Sequence, residues 1–338
     1  MLALSFADQH SESLRYVAAF GKWHIWDRTR WRIDDTLAAR DRARRSCRAA
    51  AERNDPRLRK QIASARTVHA VEHLAQADRR IAATAEQWDA DPWLLNTPAG
   101  TIDLRTGTTT AHSYSDYLTK ITGVSSCDSC PTPTWLAFLK RITDNDESLV
   151  AYLQRMAGYG LTGSTQEHAL FFLYGTGANG KSTFVNALTN CLGDYHRAAP
   201  IETFTALEQE RHPTDLAGLR GARLVIATET EEGRRWAESK IKALTGGDKI
   251  SARFMRQDFF DYNPQFKMII AGNHKPGLRS VDEAKRAVAG EPLWPGAMAK
   301  RVLDPMPLRI NRELMVERES CPSADNATIR AHRNCRSA

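Results

Sequence analysis

A chain of 338 residues with 42% hydrophobic and 26% charged side chains is long enough to bury a sizeable core, and this near-average composition excludes wholesale disorder. No run approaches the roughly 18 to 20 apolar residues of a membrane span, and no basic start followed by an apolar run opens the chain, so a cytoplasmic protein without a membrane partner is expected. Lys and Arg exceed Asp and Glu by 47 to 40, and one window supplies the whole surplus: residues 40–66 hold Arg40, Arg42, Arg44, Arg45, Arg48, Arg53, Arg57, Arg59, Lys60 and Arg66 against Asp41, Glu52 and Asp55. Such a window is either a solvated helix face or a surface that meets phosphates.

Aromatic residues crowd the stretch from Phe6 to Asp35, which predicts a helix near residues 10–20 followed by a hairpin that turns at Asp27-Arg28-Thr29. Residues 36–90 are rich in Ala and Arg, and Ile62, Ala65, Val68, Val71 and Leu74 fall at helical spacing. This reads as a helical segment broken at Asp55-Pro56 and stopped by Asp91-Pro92. Turn residues bracket a short strand at Thr101 to Arg105, residues 125–134 read as a linker, and another helical stretch runs from about Trp135 to Gly158. The six cysteines show no disulfide framework; Cys127 and Cys130 form one C-x-x-C without the second ligand pair of a structural zinc site.

Beyond residue 160 the texture changes. Ala169–Tyr174, Arg223–Thr228 and Phe266–Gly272 are short apolar runs that end in polar or Gly-rich sequence, with helix-compatible stretches between them. Strands alternating with helices imply an α/β fold with a parallel sheet covered on both faces.

The sharpest signal is Gly175-Thr176-Gly177-Ala178-Asn179-Gly180-Lys181-Ser182, a complete G-x-x-x-x-G-K-[ST] between an apolar strand and the amphipathic stretch Thr183 to Leu192. Glycines let successive main-chain N–H groups and a helix dipole converge on the β- and γ-phosphates of a nucleotide. Lys181 adds a positive charge, and the Ser182 hydroxyl suits Mg²⁺. The second strand runs into Glu229-Thr230-Glu231-Glu232; alternation puts Glu229 and Glu231 on one side, as candidates for the metal-linked acid and the base that polarises water. The third strand ends at Asn273, whose amide can donate to the γ-phosphate or orient the attacking water.

These elements, in this order and spacing, resemble the A, B and C motifs of superfamily 3 helicases. Leu244-Thr245-Gly246-Gly247-Asp248, Ala252-Arg253-Phe254 and Gly272-Asn273-His274-Lys275-Pro276 are similar to the phage/plasmid primase family of the satellite-phage type. Gln87-Trp88-Asp89, Asn96-Thr97-Pro98 and Thr101-Ile102-Asp103-Leu104-Arg105 resemble the domain that precedes the helicase in that family and in poxvirus-like primase-helicases. The resemblance implies a mainly helical α+β pre-helicase domain over residues 1–160 and an AAA+-like P-loop NTPase core over residues 161–284. It implies a hexameric ring ATPase that uses ATP and Mg²⁺, translocates on single-stranded or forked DNA, and works beside replication proteins. Between motifs B and C such rings carry a DNA-contacting β-hairpin, here Asp248 to Asp261 with Lys249, Arg253 and Arg256 as candidate phosphate contacts; Phe254, Phe259 and Phe260 are expected to serve the core rather than stack on bases.

Two departures qualify the expectation. No polymerising domain stands upstream, so no primer synthesis is expected. After Val281-Asp282-Glu283-Ala284 the family pattern stops, and Lys285 to Ala338 reads as an atypical, disordered tail consistent with a shifted reading frame or a truncated gene. The arginine that an adjacent subunit contributes in such rings would fall there, so nucleotide binding is expected to outlast turnover. The alternative is a remnant that binds nucleotide or DNA without coupled hydrolysis.

Overall fold

The computed structural model describes residues 1–127, 130–174, 179–205, 214–228, 237–255 and 259–272. The chain opens with the helix α1 (Leu2–His10), which buries Phe6 and Ala7, and then pairs β1 (Leu14–Val17), β2 (Lys22–Trp26) and β3 (Trp31–Ile33) in an antiparallel sheet. The helix expected near residues 10–20 is therefore displaced: it ends at His10, and the next residues form a strand. Pairing with β2 decides this, since Tyr16 lies opposite Trp23 with their rings 5.2 Å apart, a tertiary contact that overrides local helix preference. The Asp27 turn behaves as expected, its carboxylate accepting the N–H groups of Thr29 and Arg30.

Three helices follow, α2 (Ala38–Glu52), α3 (Pro56–Ile62) and α4 (Ala65–Ala75). Small side chains at every fourth position, Ala39, Ala43, Cys47 and Ala51, let α2 lie close against α1 and α4. Asp55 caps α3, accepting the Arg57 N–H at 2.8 Å, with Pro56 in the first turn where its missing N–H costs nothing. On α4 the buried face is Val68, Val71, Glu72 and Ala75. Leu74 is 63% exposed, because the i, i+3, i+4, i+7 stripe passes through Ala75 instead. Glu72 belongs to that face: it accepts from Trp23 Nε1 at 3.2 Å and Arg40 Nε at 2.9 Å. The helical run stops at Ala75, well before Pro92.

Two strands flank the expected short strand, forming the antiparallel sheet β4 (Leu94–Thr97), β5 (Gly100–Asp103) and β6 (Thr108–Thr110). The single helix expected from Trp135 is two, α5 (Pro133–Ile142) and α6 (Glu147–Leu161). Asp144 and Asn145 take left-handed φ values of 52° and 62°, and Asp146 caps the second helix.

A parallel sheet then forms from β7 (Leu170–Tyr174), β8 (His196–Ala198), β9 (Leu224–Thr228) and β12 (Lys267–Gly272), in the spatial order β7-β12-β9-β8. The intervening elements are α7 (Lys181–Leu192), α8 (Thr214–Ala217), α9 (Glu238–Gly246) and the antiparallel hairpin β10 (Ile250–Ala252) and β11 (Phe260–Tyr262). Alternation along the strands builds two cores. Leu224, Ile226 and Ile269 face α5, α6, α7 and the strands β4 and β5, whereas Val225, Ala227, Met268 and Ile270 face α9 and the hairpin. The protein is thus a mixed α/β fold, with a parallel sheet layered between helices and a largely helical amino-terminal region.

Two buried cations fix the amino ends of the central strands. Arg223 precedes β9; it donates to the carbonyls of Leu94 and Leu161, and its guanidinium lies 4.5 Å from the centre of the Tyr195 ring. Lys267 opens β12 and donates to the carbonyls of Thr162 and Ser164 while sitting 4.7 Å from the Tyr159 ring. Burial pushes both pKa values down and lifts the Tyr195 phenol to about 12. Arg223→Ala is expected to cost about 3–5 kcal/mol, because two buried carbonyls lose their donor and a void remains. Urea unfolding measures this, and a loss below about 1 kcal/mol would contradict it.

Candidate functional site

Three strand tips end side by side. Tyr174 is in register with Gly272, and Ala271 with Thr228, so the carboxyl ends of β7, β12 and β9 share one edge of the sheet. From β7 the chain crosses with α7 to the far strand β8, then steps back through β9 to β12, so the connections leaving β7 and β9 run in opposite directions and cover opposite faces. Open α/β sheets take ligands beyond their carboxyl ends at such a reversal.

The helix α7 begins at this edge. Its N-cap is Gly180, with φ of +88°, and a Cβ there would lie 2.6 Å from Ile142 Cγ2 and 3.2 Å from the Phe138 ring of α5. Both backbone and neighbours therefore require glycine. The Gly180 carbonyl accepts the Phe184 N–H at 3.0 Å, no side chain caps the helix, and no acid stands in its first turn. The first-turn N–H groups and the positive end of the helix dipole are thus available to an anion. Half-buried Lys181 donates from Nζ to Asn179 Oδ1 at 3.0 Å, which holds the ammonium beside that turn, and the Ser182 and Thr183 side chains are exposed.

Gly175, Thr176, Gly177 and Ala178, together with Glu229, Glu231, Asn273 and Arg256, lie outside the described residues. Gly175, Glu229 and Asn273 each directly follow one of the three described tips, Tyr174, Thr228 and Gly272. Among the described residues no cluster of three His, Cys, Asp or Glu side chains could hold a metal, and Cys127 is a free thiol. No described helix is long and apolar enough to cross a membrane.

The hairpin β10–β11 stands on the α9 face, opposite α7, so Lys249 and Arg253 are not gathered with Lys181. Lys249 is exposed, and the Arg253 guanidinium lies 4.7 Å from the Phe259 ring centre. The expectation that the aromatics serve the core holds for Phe260, which is 8% exposed and meets Phe20 edge-on at 5.5 Å, and in part for Phe254, whose ring stacks on Phe260 at 5.7 Å. Phe254 and Phe259 are 39% and 57% exposed because they flank the loop that joins the two short strands, beyond the reach of the sheet. Phe138 and Ile142, which shape the Gly180 corner, escaped the sequence reading: they lie on an ordinary amphipathic helix, and nothing in their spacing points to a site more than 35 residues away.

Residues 3–144 match the family described as D5 N terminal like, and residues 173–286 match a family of unknown function, DUF5906. Over 148 residues the chain is 30% identical to "Putative helicase L207/L206" of Acanthamoeba polyphaga mimivirus, covering 43% of this chain and 15% of that protein. Over 160 residues it is 24% identical to "Putative helicase 022R" of Frog virus 3 (isolate Goorha), covering 46% of this chain and 16% of that protein. The matched stretch thus spans about a sixth of these curated relatives. Among solved structures, the NrS-1 C terminal region is similar at 10% identity with a TM-score of 0.48, over 80% of this chain and 56% of that one.

The Gly180 corner yields a direct test. Gly180→Ala is expected to lower stability by about 1–3 kcal/mol, from left-handed backbone strain and displacement of Ile142. Adding Ile142→Ala should not restore it fully, because the backbone term persists; full recovery in a thermal melt would show that crowding alone demands the glycine.

Proposed function

We propose that this chain, which belongs to the D5-like primase-helicase family, binds Mg-ATP at the β7–α7 corner and couples its hydrolysis to movement along DNA. One observation carries the reading: β12 lies between β7 and β9, and the three tips end within one residue of each other, each directly followed by a residue type that a nucleotide-hydrolysing site uses. This supports a P-loop NTPase core of the superfamily 3, AAA+-like kind.

The residues fit a triphosphate by the chemistry of their donors. An uncapped helix start without an acid, a lysine in its first position and an exposed hydroxyl in its second suit a polyanion with a hard cation. Ser182, together with Glu229 through a water, would hold Mg²⁺, which when bound would neutralise charge on the phosphate oxygens. Main-chain amides of residues 175–183 cradle the phosphates, and Lys181 places its charge against the oxygens that gain negative charge as the terminal phosphoryl leaves ADP. Glu229 or Glu231 accepts the proton of the attacking water, and the Asn273 amide orients that water and distinguishes cleaved from uncleaved nucleotide. Lys249, Arg253 and Arg256 on the hairpin contact DNA phosphates in a homo-oligomeric, hexameric ring.

The decisive measurement is ATPase rate with and without single-stranded DNA, on protein of known assembly state. DNA-stimulated turnover in a hexamer is the expected result; nucleotide binding by a DNA-insensitive monomer would favour the non-catalytic alternative. Lys181→Ala should lower the rate by at least about 100-fold, the scale for loss of one preorganised donor, and an unchanged rate would remove the β7–α7 corner from the reaction. Lys249→Ala/Arg253→Ala should raise the DNA concentration for half-maximal stimulation and reduce the salt slope of DNA binding by about 1–2. A wild-type dose curve would exclude the hairpin.

A further inference from the structure

The basic window of residues 40–66 is unused by the mechanism above, and its cations divide into two groups. Arg40 pairs with Glu72, Arg42 donates to Ser13 Oγ at 2.8 Å, and Arg44 and Arg45 pair with Asp41. Arg48, Arg53, Arg57, Arg59, Lys60 and Arg66 are all exposed, and their charged groups have no hydrogen-bond or ion-pair partner among the described residues. They follow one another through the end of α2, the whole of α3 and the start of α4, helices that touch. Of the two acids in this stretch, Asp55 is committed to capping α3, which leaves Glu52.

Packing does not account for α3. No residue of it is buried, and its largest apolar side chain, Leu58, is 48% exposed. A short helix without a fully buried residue contributes little to the core, yet it carries like charges at Arg57 and Lys60, an i, i+3 spacing at which they repel. Arg48 likewise follows Arg44 and Arg45 at i+4 and i+3. That arrangement costs stability in the free protein and becomes favourable when a polyanion lies across it.

We infer that the α2–α3 surface is a second nucleic-acid-binding site, distinct from the hairpin, that grips the sugar-phosphate backbone without reading sequence. Nine of the window's ten cations are arginines, whose planar forks match phosphate oxygens bidentately. A membrane surface fits poorly: an interfacial helix needs an unburied apolar face, whereas the alanine face of α2 is buried against α1 and α4. The choice of nucleic acid over an acidic protein rests on the proposed function.

The test is fluorescence anisotropy of the full chain with a 20-nucleotide oligo-dT and a 20-base-pair duplex over a salt series, without nucleotide, so that failure of the ATP site and failure of this surface are distinguishable. Neutralising four exposed positions as R48Q/R57Q/R59Q/K60Q should weaken binding at least tenfold at 150 mM salt and lower the salt slope by about 3, at roughly 0.7 to 0.9 per lost phosphate contact. The thermal midpoint should be no lower than the wild-type value, since none of these side chains is buried and their mutual repulsion is relieved. The R48K/R57K/R59K variant, which keeps the charge, should retain most of the slope. Wild-type affinity and slope in the glutamine variant would overturn the inference, as would binding of poly-glutamate or of anionic phosphatidylserine vesicles, but not of either DNA probe, by the wild-type chain.

Discussion

Hydrogen bonds from β12 to β7 on one side and to β9 on the other hold three strand tips level, and every chemical proposal for this protein depends on that pairing. A parallel strand inserted between two others must be buried on both faces, which is why Met268, Ile269 and Ile270 are each no more than 1% exposed. A one-residue slip of β12 would exchange its two faces, driving Ile269 into the core meant for Met268 and Ile270. Register is therefore enforced by the same alternation that separates the α7 face from the α9 face. The proposed site needs no separate device to align the strand tips; it inherits their alignment from the core.

The amino ends of the same strands explain how the helical amino-terminal region can matter to the site. Arg223 and Lys267 satisfy carbonyls of β4, of the end of α6 and of the segment after it, and neither has a carboxylate partner in those contacts. A buried cation solvated by carbonyls keeps its geometry only if those carbonyls stay in place. Ile142 and Phe138 of α5 press on Gly180 from the other end of the sheet. The proposed nucleotide corner is thus braced at its base by residues 94–164 and at its mouth by α5, and Phe20 against Phe260 ties the hairpin to the first small sheet.

How much of this could be read from residues alone follows from where the information lies. β7, β9 and β12 were legible because parallel strands buried on both faces are continuous apolar runs that end in polar or glycine-rich sequence. β8, three residues of His-Arg-Ala on a sheet edge, has no such signal, and the spatial order of the four strands is a matter of pairing between segments up to about a hundred residues apart. The misplaced first helix has the same origin: four residues become a strand because β2 lies beside them. At the site, Gly180 and Lys181 announce themselves by type and spacing. The methyl group that crowds Gly180, in addition to its left-handed backbone, belongs to Ile142, which looks like any core isoleucine until the backbone is folded.

The two kinds of anion recognition proposed here rest on different electrostatics. At the α7 start the attraction comes from oriented main-chain dipoles and one lysine, effective within a turn of the helix and largely shielded from salt once phosphate displaces water. On α2 and α3 it comes from exposed guanidinium groups, whose field at physiological ionic strength decays over about 8 Å. A phosphate must therefore touch that surface to feel it, and each contact releases counterions, making binding steeply salt-dependent. The formal +7 of the chain is carried by the residue 40–66 window alone, leaving the remainder neutral, so the charge is not a general field that steers DNA to the sheet. It is a local handle on the amino-terminal helices. In the proposed motor, such a second, sequence-independent hold would add processivity, because a strand released by the hairpin would remain at high effective concentration near the α2–α3 surface.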